Sequence, residues 1–198
     1  MNMHSVALPN ARSLLLVSRL AAVWAFGYGL YRWYYALGGT FGMLGTPVSL
    51  EQFARINAIA GVLLFVAALL PIVLASVWSR RRTRPVLLAL CWVIAVGCAS
   101  HALIGIVQRV SSLTGALTID YRFWQTIDRK RADLQALFFN EPWFLGEGLL
   151  WAAIAWAGAL RVSPRRLWWV GSAVAATAAA TAMGLLSAFG VIGKVIAG

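Results

Sequence analysis

The chain has 198 residues, of which 61% are hydrophobic and only 12% charged, with a mean hydropathy of +0.78. A soluble domain carries about twice that share of charge, so a water-soluble globule is excluded. Seventeen basic residues face six acidic ones, a net charge of +11. The arginines fall in short clusters between apolar runs, which is the pattern of membrane topology and argues against a nucleic-acid surface.

A helix crossing the bilayer needs about 20 mainly apolar residues. Five stretches supply them, roughly 13–37, 53–78, 85–110, 142–161 and 167–195. The expected fold is an all-α integral membrane bundle of five transmembrane helices, forming a single domain over 1–198. The first apolar run lacks a cleavage site and further spans follow it, which argues against a cleaved signal peptide.

The first span ends among Tyr28, Tyr31, Arg32, Trp33, Tyr34 and Tyr35. An interfacial aromatic belt and a snorkelling arginine account for most of these side chains. Five aromatics over two turns cannot share one lipid-facing edge, so some point into the bundle, where Arg32 would meet Glu147 or a ligand anion. Gly38, Gly39, Gly42 and Gly45 follow. They lack the spacing of a phosphate-binding loop and predict a tight loop over the mouth of the bundle.

Ahead of the second span, Ser49-Leu50-Glu51-Gln52 has the form of a capping box, and Glu51 can pair with Arg55 one turn on. Asn57 lies near the outer end of this span, and Pro71 within it predicts a kink. Pro85 opens the third span, where a first-turn proline is tolerated. Cys91 and Cys98 fall on one face about 10 Å apart along the axis, too far for a disulfide. Cys98, His101, Gly105 and Gln108 form a small, polar stripe at helical spacing, serving either a helix–helix contact or a site.

Residues 111–140 are the one long connection. Trp124, Ile127, Arg131, Leu134 and Phe138 recur at helical spacing and predict an amphipathic helix on the outer leaflet or a lid, with Asp128, Arg129, Lys130 and Asp133 mostly on other faces; the run Arg129-Lys130-Arg131 is read as solvated surface or as a contact for lipid headgroups or an anionic substrate. The fourth span starts at Pro142 and carries Glu147 roughly 7–8 Å beyond its start. A carboxylate at that depth faces a partner, a cavity or a pathway. It is read either as a functional acid or as the partner of Arg32 or Arg109, with Gly146 and Gly148 leaving room for a helix or ligand. Trp143, Glu147 and Trp151 share one helical face. The fifth span is rich in alanine, glycine, serine and threonine, a composition suited to close helix packing.

Arg80, Arg81, Arg82 and Arg84 join spans two and three, and Arg161, Arg165 and Arg166 join spans four and five. The positive-inside rule places both short loops in the cytoplasm, with the N-terminus inside and the C-terminus outside. All six acids then lie towards the outer side. No CxxC, zinc, haem-attachment, zincin or nucleophile-elbow pattern occurs, so no metal or other cofactor is expected.

Tyr34-Tyr35-Ala36-Leu37-Gly38-Gly39-Thr40-Phe41-Gly42 resembles the YWALGGTxG segment of a family of small bacterial membrane proteins. That family is common in actinobacteria and catalogued as a domain of unknown function. Glu141-Pro142-Trp143-Phe144-Leu145-Gly146-Glu147-Gly148 resembles the EPWFLLGG-type start of its last helix. The resemblance covers about 15–161 and implies a four-helix core, to which this chain adds a fifth, C-terminal span; Glu147 stands where the family pattern would have a small residue. Asp120-Tyr121-Arg122-Phe123-Trp124 also resembles the DxRY stretch of emopamil-binding-type sterol isomerases, which implies lipid-like ligands.

The expected function is binding or processing of a hydrophobic small molecule, a lipid or isoprenoid, in a polar pocket in the outer half of a bacterial cytoplasmic membrane. Glu147 and His101 are the candidate acid/base groups. Arg32, Tyr31, Tyr35, Asn57, Gln108, Trp143 and Trp151 are the candidate ligand contacts. The alternative is a non-catalytic accessory subunit of a larger membrane complex, docking through span five and the outer helix. Expected partners are membrane lipids, the ligand or a membrane protein, and not nucleic acid.

Overall fold

The computed structural model describes residues 11–78, 83–159 and 166–191. Five long helices dominate: α1 (Ala11–Ala36), α2 (Leu50–Val77), α3 (Arg84–Leu113), α5 (Glu141–Ala159) and α6 (Arg166–Ala188). Of these, α1, α2, α3 and α6 are long and apolar enough to cross a membrane. The basic loop residues Arg80–Arg82, and Arg161 and Arg165, lie outside the described residues, as does the end of the fifth expected span.

The helices neighbour one another in the order α2, α1, α5, α3, α6. Because α5 sits between α1 and α3, it can carry groups that a lipid-facing helix could not. Its glycines are helix contacts. A Cβ on Gly146 would press on the Trp24 indole of α1, one on Gly158 on the Trp78 indole that ends α2, and one on Gly148 on the α3 backbone at Ala95 and Ala99, 3.1 Å away. The space beside Gly146 and Gly148 is therefore taken up by α1 and α3.

Local signals set the helix starts. Ser49 caps α2, its hydroxyl accepting from the Gln52 N–H at 3.2 Å, and Glu51 pairs with Arg55 at 2.9 Å. Pro85 lies in the first turn of α3. Pro71 lies within α2, buried.

The 111–140 connection differs from the amphipathic helix expected there. Trp124–Ile127 is a strand, β2, which pairs antiparallel with β1 (Gly45–Pro47). The helical spacing of Trp124, Ile127 and Arg131 thus bridges a strand–helix boundary. Short α4 (Arg129–Gln135) follows, N-capped by Asp128, and runs through a π-helical turn (Ala136–Asn140) directly into α5. Pro142 explains that turn. It lacks an N–H, and in a regular α-helix its ring would meet the carbonyl four residues back. The wider turn, with the Glu141 N–H bonded to the Ala136 carbonyl, carries the helix past it. Pro142 thus stands in the first turn of α5, as expected, although the π-helical turn runs into that helix without a break.

The two ends of the bundle differ in chemistry. At the end formed by the start of α1, the end of α2, the start of α3 and the end of α5, Leu14, Leu74, Trp78, Leu88, Cys91, Trp151 and Ile154 form a dry apolar core. Cys91 and Cys98 are both free thiols. At the other end lie the buried polar groups Asn57, Asp133 and Glu141.

Candidate functional site

The aromatic end of α1 builds one wall of a cavity. Gly38 and Gly42 adopt φ of 88° and 80°, turning the chain back over the helix end. Two tyrosines pin that loop: Tyr34 Oη accepts from the Phe41 N–H at 2.8 Å, and Tyr35 Oη donates to the Phe41 carbonyl at 3.1 Å. The ribbon continues the roof. The Asp128 N–H donates to the Leu44 carbonyl at 2.9 Å and the Val48 N–H to the Phe123 carbonyl at 3.0 Å.

Beneath this roof is a cavity of about 160 Å³, whose lining includes Tyr31, Arg32, Tyr35, Asn57, Arg109, Tyr121, Gln135 and Asn140. The two arginines have different surroundings. Arg109 is held by Asp133 at 3.3 Å and by the Tyr121 hydroxyl at 2.9 Å. Asp133 also accepts from Ser112 and Tyr121, each at 2.6 Å. Burial, and the carboxylate that accepts its proton, push the Tyr121 phenol up to about 12. Asp133 is 2% exposed and is the counter-charge of Arg109.

Arg32 has neutral partners. Its Nη1 donates to Asn57 Oδ1 at 3.3 Å and its Nη2 to the Tyr28 hydroxyl at 3.0 Å, while its guanidinium lies over the Tyr28 ring, 5.1 Å from the centroid. The Asn57 amide nitrogen is occupied by the Phe53 carbonyl at 2.9 Å, which fixes its oxygen towards Arg32. The Tyr28 hydroxyl donates to Asn140 Oδ1 at 3.2 Å, tying α1 to the π-helical turn. Among the described residues no carboxylate lies within ion-pair distance of Arg32.

A second, apolar depression borders the cavity. It is a groove lined by Leu30, Tyr31, Tyr34, Tyr35, Phe41, Gly42, Gln135 and Phe139. Tyr31, Tyr35, Gly42 and Gln135 belong to both linings. Gln135 Nε2 donates to the Tyr31 hydroxyl at 3.2 Å, so this boundary is itself a formed contact between α1 and α4.

Of the residues singled out in the sequence, Arg32, Tyr31, Tyr35 and Asn57 converge on the cavity, and Gln108 does not line it. Trp143 packs behind the wall, stacked on Trp24 with ring centroids 4.3 Å apart and on Tyr28 at 5.5 Å. Glu147 and Trp151 lie deeper, bonded to each other at 2.7 Å, and Trp151 belongs to the apolar core at the far end. Glu147 therefore meets neither Arg32 nor Arg109. His101 is exposed, with its ring against Phe144 and its Nε2 3.9 Å from Glu141 Oε2. The carboxyl group of Glu141, 4% exposed, rests where a Cβ on Gly105 would be.

Sequence reasoning placed Tyr28 and Asp133 towards this end of the molecule but named none of Tyr28, Tyr121, Asp133, Gln135 and Asn140 as site residues. Only Asp133 carried a usable signal, since Arg109 needs a nearby acid. Among the described residues no group of acids, histidines and cysteines is arranged to hold a metal ion. Comparison with protein-family models, with curated proteins and with solved structures finds no match to this chain.

Proposed function

We propose that the chain is a five-span protein of a bacterial plasma membrane, with its N-terminus in the cytoplasm, that binds a hydrophobic small molecule at the outer end of the bundle. The observation that carries this reading is the shared boundary between a polar, arginine-bearing cavity and an apolar groove at Tyr31, Tyr35, Gly42 and Gln135. Ligand sites combine an apolar lining with a few placed polar groups, and the two halves here adjoin. α5 counts as the fifth span because its position between α1 and α3 relieves it of the apolar demand that lipid imposes. The basic loops, Arg80 to Arg84 and Arg161 to Arg166, give the orientation.

An acid/base version of this reading uses His101 and Glu147. It requires the bound molecule to reach past Asn140 along α5, whereas binding alone does not. Purification in mild detergent and native mass spectrometry test the binding reading. Wild type should retain a lipid-sized adduct, and Tyr31→Ala should lose it while keeping its thermal transition. Retention by both would place the ligand elsewhere. A cysteine introduced at Phe41, which is 88% exposed, should react with an impermeant maleimide from outside.

A second reading, an accessory subunit, is favoured by α6. That helix lies against α3 and leaves Leu167, Trp168, Val174 and Met183 exposed. A stoichiometric protein partner in the same spectra, with no small adduct, would select it.

A further inference from the structure

We propose that the ligand of the α1–α4 pocket is a single-chain amphiphile with a phosphate or carboxylate headgroup, its anion against Arg32 and its tail in the groove beside Phe139. The inference rests on the reading of this pocket as a hydrophobic-ligand site, and it names the ligand's chemistry.

Charge carries it first. Two guanidinium groups line the cavity, and one carboxylate, Asp133, is already committed to Arg109 at 3.3 Å. The carboxyl group of Glu141 lies on the α3 side, against Gly105 and His101. Arg32 therefore keeps a full positive charge with only neutral contacts. A guanidinium has five donors in a planar fork suited to the paired oxygens of carboxylate or phosphate. Two of the five are engaged by Asn57 and Tyr28, and the buried Nε has no hydrogen-bond partner among the described residues. Those contacts and the Tyr28 ring fix the group without neutralising it, which prepares it for an anion.

Shape carries it second. At about 160 Å³ the cavity is many times the ~10–15 Å³ that one water needs, yet it is small for an acyl chain. The groove is larger, about 540 Å³, and has only apolar and tyrosyl walls apart from Gln135. A head in the first and a tail in the second satisfies both. Leu30, half exposed on α1, and Phe139 line the groove and not the cavity. They would contact the chain.

The test uses the full-length protein in a neutral maltoside detergent with three amphiphiles of identical twelve-carbon tail: dodecyl phosphate, dodecyltrimethylammonium and dodecanol. Inorganic phosphate supplies the head alone. Binding is read by native mass spectrometry and by ligand-induced shift of the thermal transition. Dodecyl phosphate should bind wild type at least about tenfold tighter than the cationic and neutral compounds, the scale set by one desolvated charge contact. Arg32→Gln should remove that preference, Arg32→Lys should keep part of it, and Phe139→Ala should weaken all tail-bearing ligands alike. Equal binding of dodecanol and dodecyl phosphate would overturn the anionic head and leave the hydrophobic pocket standing. Binding of inorganic phosphate as tight as that of dodecyl phosphate would overturn the amphiphile in favour of a soluble anion. Failure of every tailed compound would overturn both the inference and the pocket reading. The comparison of head groups on wild type decides the matter even if Arg32→Gln does not fold.

Discussion

Trp151 Nε1 donates to Glu147 Oε1 at 2.7 Å, one turn along the same helix, and the second carboxylate oxygen of Glu147 has no hydrogen-bond partner among the described residues. Both residues are buried, at 1% and 9% exposure, with no cation within ion-pair distance among the described residues. An acid so placed costs free energy as a charge and contributes as an acceptor. Glu147→Gln keeps the acceptor and removes the charge, so it should unfold at the same temperature as wild type or higher. Glu147→Leu strands the indole N–H and should cost about 1–3 kcal/mol. Trp151→Phe in the Glu147→Leu background should recover part of that loss, as thermal unfolding in detergent would read. Equal losses for Gln and Leu would show that the charge itself is needed.

What the sequence disclosed of this fold follows from what lipid demands. Residues 13–37, 53–78, 85–110 and 167–195 were legible because an apolar run of that length has few other uses. The ribbon was not legible. Its strands have three and four residues, about 80 positions apart, and the first contains glycine and proline in place of strand formers. The Trp124, Ile127, Arg131 spacing matched a helix by coincidence, which placed Asp133 away from the apolar face. Arg32 stood out as an arginine among aromatics, and Asn57 as an amide in a span. Their bond depends on the packing of α1 on α2, which no local pattern encodes. Glu147 was conspicuous for its depth, but its partner lay one turn away at Trp151 and not on another helix.

Asp133 joins α4 to the end of α3 through Ser112, Arg109 and, from the intervening loop, Tyr121. Its side chain is 3% exposed and that of Arg109 22%. Removing one member of a buried pair leaves the other charge uncompensated, so Asp133→Ala should cost about 3 kcal/mol, the lower end of such losses because Arg109 keeps some solvent. Ser112→Ala removes one neutral donor and should cost about 1 kcal/mol. The double variant Arg109→Gln/Asp133→Asn should lose less than the sum of its singles. Additive losses in a denaturation cycle would mean that the two side chains act independently.

Tyr121 gives that same cluster a pH signature. Burial first, and the hydrogen bond to Asp133 second, raise its phenol from the ordinary 10.0 to about 12. A raised folded-state value favours the neutral, proton-donating form, so its stabilisation is complete below pH 10 and disappears as pH climbs through 12. Wild type should therefore exceed Tyr121→Phe in stability at pH 8 to 9 by a constant margin, and the margin should shrink between pH 10 and 12. Unfolding temperatures of the two proteins across that range check it. A margin unchanged at pH 12 would show that the phenol does not ionise with the shift its contacts imply.

Gly105 and Glu141 meet where α3 crosses the start of α5, and the Glu141 carboxyl occupies the position that a Cβ on Gly105 would take. The neighbour is the end of a side chain, buried at 4% exposure, and it must shift for a Cβ to fit. Gly105→Ala gains in helix propensity by about 1 kcal/mol, and the overpacking it introduces costs about 1–3 kcal/mol. The net change should be destabilising in wild type. In a Glu141→Ala background the obstruction is gone, leaving the propensity gain, so the same substitution should become neutral or stabilising there. The sign reversal separates a steric contact from a general intolerance of alanine at this crossing. Glu141→Gln keeps the bulk and removes the charge, so Gly105→Ala should remain destabilising in that background; relief there would make the conflict one of charge and not of volume.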